Sequence, residues 1–151
     1  MGKIIMNNKY IQKQIKKGLF LNAYHQISDD FSFNLDNIVS CFPKLNSKDI
    51  YLFLMVAISK NETVEKYISI CDDLLYIDPY INGSLSLISW HMRTALKSFP
   101  NSTTLKHWII DTFWENPDSP FIISEIKQYA MDILNENPND EYAQSVIKES
   151  T

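Results

Sequence analysis

The chain has 151 residues, of which 45% are hydrophobic and 21% charged, with a formal net charge of −4. At that length one domain buries roughly 70% of its unfolded surface, and the composition excludes a disordered chain. Three glycines and six prolines exclude a glycine-rich phosphate cradle and disfavour a sheet protein full of tight turns.

Residues 1–7 are expected to be flexible, and 8–17 and 19–29 read as two helices separated at Gly18. Residues 34–42 read as a short helix closed by Pro43. The run 47–59, SKDIYLFLMVAIS, is apolar nearly all round, as expected of a helix covered on several sides, with Ser47 as its cap. In 61–77, Val64, Tyr67, Ile68, Cys71, Leu74 and Leu75 form one stripe at helical spacing. Glu65, Lys66, Ser69, Asp72 and Asp73 take the other side, Asn61 is the expected cap, and Glu62 is the expected partner of Lys66.

The same pattern continues over 84–98 and over 103–115, where Ile110 and Trp114 point away from the stripe of Leu105, Trp108 and Phe113. Residues 119–136 open on Ser119 as cap with Pro120 as first helical residue, and 138–149 open on Pro138.

The prolines recur. Pro79 to Pro117 and Pro100 to Pro138 are both 38 residues, and laying 84–109 over 122–147 superposes Ile88 on Ile126 and Leu96 on Leu134. A helix pair at this period lies near the armadillo and HEAT range. The expected fold is therefore a single all-α domain over 1–151, built as a short HEAT/armadillo-like array of stacked antiparallel helix pairs, with an irregular helical bundle as the alternative.

Chemistry is harder to find. His25, His91 and His107 lack a His or Cys neighbour at ligand spacing, so no zinc pattern exists. His107 and Asp111 could form a weak pair on one helix, and Cys41 and Cys71 read as buried reduced thiols. No catalytic residue, metal ligand or cofactor site is assigned, and the expectation is a protein that is not an enzyme.

Charge says more. Residues 1–50 hold seven lysines and four acids, whereas 51–151 hold seven bases and fourteen acids. Arginine occurs once, at Arg93, so the forks that grip phosphate and guanine are nearly absent. Direct nucleic-acid binding is disfavoured, and no run is long enough to span a membrane. The start lacks a signal-peptide core, so the expected location is the cytoplasm.

The acids fall on alternate helices (62–77, 103–118 and 138–151), which a stacked array would bring to one face. Such a face suits a basic partner, with Asp72, Asp73, Asp111 and Glu115 supplying charge and Tyr76 and Trp114 supplying contact area. Tyr80 raises the same reading as Tyr76.

With the acidic segments ICDDLLYIDPY and HWIIDTFWENPD, the small all-helical chain resembles the immunity proteins of bacterial contact-dependent inhibition and related polymorphic toxin systems. That resemblance implies a cytosolic antitoxin that blocks a cognate toxin domain, often a nuclease. The alternative is a helical-repeat adaptor for another protein partner.

Overall fold

The computed structural model describes residues 6–77 and 83–150. These residues form nine α-helices and one π-helical turn, and no strand occurs among them. The chain is an all-α protein. It divides into two compact units, Met1–Ser84 and Leu85–Thr151.

The first unit holds α1 (Asn8–Lys16), α2 (Phe20–Gln26), α3 (Leu35–Cys41), α4 (Ser47–Lys60) and α5 (Val64–Asp72), which runs on into the π-helical turn Asp73–Ile77. Of the segment expected to be flexible, residues 1–5 lie outside the described residues, but Asn7 is fixed: its side chain caps α1 by accepting from the Tyr10 N–H. Gly18, at φ +78, ends α1, with its own N–H on the Ile15 carbonyl and that of Leu19 on Gln14. These are the two bonds of a left-handed helix stop that glycine adopts without strain.

Caps lie close to the expected positions but not on them. Asn46, rather than Ser47, opens α4, and Asp49 answers it from the third helical residue. Thr63, rather than Asn61, opens α5.

Helix α4 is central, packing on α1, α2, α5 and the π-helical turn. Phe53 from α4 meets Phe33 and Phe42, and Phe31 joins them, with ring centroids 5.1 to 6.5 Å apart. Because α5 is covered on more than one side, its expected polar side is largely interior. Lys66, Ser69 and Asp73 are all buried, which corrects the expectation that they face solvent.

Each of the three is satisfied. The Lys66 ammonium donates to the Asn61 and Ala57 carbonyls at 2.7 and 3.4 Å, where α4 ends. Ser69 Oγ donates to the Phe33 carbonyl at 2.6 Å. Ser47 Oγ lies 3.1 Å from both carboxylate oxygens of Asp73. Glu62 therefore does not pair with Lys66; it accepts from the Tyr67 hydroxyl. Cys71 is buried as expected, whereas Cys41 is only half-buried.

The second unit holds α6 (Ser84–Ser98), α7 (Thr103–Phe113), α8 (Ile123–Glu136) and α9 (Glu141–Glu149). Helix α8 packs on both α7 and α9. Within this unit the 38-residue period is structural. The Phe99 N–H bonds the Ala95 carbonyl and the Asn137 N–H bonds Ile133, both at 2.8 Å. Ser102 N–H bonds Phe99 and Asp140 N–H bonds Asn137, both at 3.1 Å. Ser102 then caps α7 through the Leu105 N–H, and Asp140 caps α9 through Ala143.

Pro-Asn thus precedes the cap in both links, and the proline does not start the helix. The likeness stops at the link, since α6 does not pack along α7 as α8 does along α9. Ser119 and Pro120 also stand outside α8. Ser119 Oγ turns back onto Phe121, and α8 begins at Ile123. Pro79 and Tyr80 lie outside the described residues.

Candidate functional site

Among the described residues each unit carries a surface recess in which apolar side chains stand beside carboxylates. In the first unit it lies between α3 and the end of α5, with a volume of about 630 Å³, lined by Leu35, Asp36, Val39, Asp72, Tyr76 and Ile77. The π-helical turn shapes it. With i→i+5 bonding the turn winds more widely than an α-helix, and along it Asp73 and Leu74 are buried while Tyr76 and Ile77 are exposed. Tyr76 is 67% exposed. Of the three expected contact residues here, Asp72 and Tyr76 line the recess. Asp73 does not: it is wholly buried beneath it and cannot meet a partner.

In the second unit the recess, about 380 Å³, is lined by Phe113, Trp114, Glu115, Asn116, Pro117, Ser119, Phe121, Ile123, Ile126 and Glu149. Here Trp114 is the last-turn cap of α7, and its indole N–H donates to Glu149 of α9 at 3.3 Å. Ile110, which points away from the stripe of Leu105, Trp108 and Phe113, is fully buried, because α7 is covered by α8 and also meets α9. Glu115 follows with φ +63, a left-handed backbone that side-chain-bearing residues rarely adopt.

The floor is rigid. Phe121 is buried, and Arg93 of α6 lies 4.8 Å from its ring centroid while pairing with Glu125 and donating to the Pro120 carbonyl. Glu125 in turn accepts from the Ile122 N–H at 3.2 Å, which fixes the start of α8. The hydrogen bond from Arg93 holds the Glu125 carboxyl below its ordinary pKa, against the effect of burial.

Beside this recess the carboxylates converge. Burial raises the Tyr142 phenol above its ordinary pKa, and the negative charges of Asp111, Glu115 and Glu149 raise it further. Asp111 is exposed as a residue, yet loss of water at its carboxyl raises its pKa, opposed by His107 and reinforced by Asp140. His107 pairs with Asp140 at 2.8 Å; the hydrogen-bonded couple expected with Asp111 is not made. Asp111, Glu115 and Glu149 form no ion pair among the described residues. Trp114, Glu115 and Asp111 therefore lie in one neighbourhood.

Four contributors were not singled out from the sequence. Val39 and Asp36 required α3 to be placed against α5, and Glu149 is 35 residues from Trp114. The fourth, Ile123, is 65% exposed on the recess although it falls inside the helix expected over 119–136.

A further recess in the first unit, lined by Tyr24, Phe31, Phe33, Asp29, Glu65 and Lys66, likewise sets rings beside carboxylates but is already supplied with a cation. The Lys66 ammonium stands 4.7 Å from the Phe33 ring centroid and 5.6 Å from that of Tyr24. Among the described residues no cluster of His, Cys, Asp or Glu is placed to hold a metal, and no helix is long and apolar enough to cross a membrane. Comparison with protein-family models, with curated proteins and with solved structures finds no match. The fold and its recesses define an all-α protein that presents acidic, partly apolar surface on both units.

Proposed function

We propose that the chain is a non-enzymatic cytoplasmic binding protein for a basic protein partner, and that this partner is a toxin domain, a nuclease by preference, which the chain blocks as an immunity protein. The observation that carries the reading is the pairing, on each unit, of exposed or half-buried aromatic and aliphatic side chains with carboxylates: exposed Tyr76 and Ile77 with Asp36 and Asp72, and half-buried Trp114 and exposed Ile123 with Glu115 and Glu149. Apolar anchors rimmed by one sign of charge are the pattern of a steered protein interface. Like charges gathered on a surface repel one another, and a cationic partner offsets that repulsion.

A nuclease must present lysines or arginines to phosphate. A surface of carboxylates and rings can fill that cleft in the phosphates' place. The test is capture from the source cell with tagged full-length chain at low salt, beside the double reversal Asp72→Lys with Glu115→Lys. A basic toxin domain should be retained by the wild type and lost from the reversal, and co-expression should protect cells from that domain. Retention of an acidic partner, or equal retention by the double reversal, would end the reading. A gene lying directly after a toxin gene would favour immunity over an adaptor role.

A further inference from the structure

The recess of the second unit is apolar in its walls and anionic at its mouth. Phe113, Phe121 and Ile126 give buried carbon surface, while exposed Glu115 and Glu149 stand at its edge, the first next to Trp114 in sequence and the second accepting from the Trp114 indole. A wholly apolar occupant would strip water from two carboxylates and return nothing to them, which costs free energy. An anion would be repelled. A side chain with a methylene stem and a cationic head meets both demands, because lysine and arginine lay their stems on carbon and keep their charge at the polar edge.

The protein already uses this combination on itself. Its own Arg93 lies over the Phe121 ring, with its guanidinium paired to Glu125. Phe121 also lines the recess. Aromatic surface plus carboxylate is thus a proven seat for a cation within this unit.

We infer that the recess bounded by Trp114, Phe121, Ile123 and Glu149 takes one lysine or arginine side chain of the partner, its stem against Phe113 and Phe121 and its cationic head between Glu115 and Glu149. This rests on the cationic-partner reading above and adds to it a single anchoring residue and its socket.

The experiment uses the full chain with ¹⁵N-labelled indoles and three probes at low salt: Nα-acetyl-arginine methylamide, its lysine analogue, and the uncharged norleucine analogue. The three tryptophans give separate indole signals, and Trp114→Phe identifies the one of interest. Both or either of the cationic probes should shift the Trp114 signal, with Trp90 and Trp108 unmoved, and norleucine should not. Glu115→Gln with Glu149→Gln should weaken that response on the order of tenfold, two exposed charge contacts being removed. The glutamine at 149 can still accept the indole bond, so the fold is preserved.

An equal shift with norleucine, or no shift with either cationic probe, would overturn the inference. So would a captured basic partner that binds the double glutamine variant at wild-type strength. That last result would leave the broader binding reading standing on Asp72 and Tyr76.

Discussion

Trp114 ends α7 and Glu149 ends α9, and one hydrogen bond from the indole to the carboxylate joins these two helix ends 35 residues apart. Both groups are partly open to water, so the bond positions more than it stabilises. Trp114→Phe should lower the unfolding free energy by under about 1 kcal/mol in urea titration. Partner capture should fall far more than stability does.

Glu115 should show the opposite balance. Its left-handed backbone is one that glycine adopts without strain. Glu115→Gly is expected to raise stability by roughly 0.5–1 kcal/mol, read as a higher denaturation midpoint with unchanged slope. The same variant should bind the partner more weakly, since the carboxylate is gone. A loss of stability would show that the side chain itself holds the turn.

Asp72 and Asp73 are neighbours with separate roles. Ser47→Ala removes a donor from the buried Asp73 carboxylate and should cost about 1–3 kcal/mol. Asp72→Ala, on the recess wall, should cost less than about 1 kcal/mol while weakening capture. Equal costs in chemical denaturation would mean that the two acids are not divided between core and surface.

His91 should make the fold sensitive to mild acid. Burial holds its pKa down to about 4 from the ordinary 6.5, so the folded state keeps the ring neutral while the unfolded chain takes up a proton. The unfolded state then binds more protons between these values. Stability is complete above pH 6.5 and falls as the pH drops toward 4, by on the order of 3 kcal/mol in all. Unfolding measured from pH 7.5 to 4.5 should show this slope, and His91→Gln should flatten it.

Lys66 is expected to tolerate no neutral replacement. Burial lowers its pKa, with Glu65 opposing, and its ammonium satisfies carbonyls at the end of α4. Lys66→Met keeps the stem but strands those carbonyls, and should cost about 1–3 kcal/mol by urea denaturation.

The nine α-helices among the described residues were legible from apolar spacing, the Gly18 break and proline stops, because these signals are local. The 38-residue recurrence was legible too, since a link such as 99–102 repeats its bonds at 137–140. What sequence missed was decided by neighbours. Ser69 and Asp73 look solvent-facing along α5 until Phe33 and Ser47 are brought to them. Ile110 lies off the stripe of α7, and its burial is decided by α8 and α9. Cap positions slipped by a residue or two, as with Asn46 and Thr63, because adjacent polar residues compete for one role. Of the contact residues named from sequence, Asp72, Tyr76, Trp114 and Glu115 line recesses, and Asp111 stands beside one.

The π-helical turn at Asp73–Ile77 makes the loss of a single codon there unusually informative. Removing one residue would let the segment rewind as an ordinary α-helix at roughly 100° per residue, so that Tyr76 points in a new direction. The phenol now offered at Tyr76 would turn away from its recess while the helix itself survived. Evolution, or a mutagenesis library, can therefore retarget that surface by changing the winding of the chain and leaving its chemistry alone.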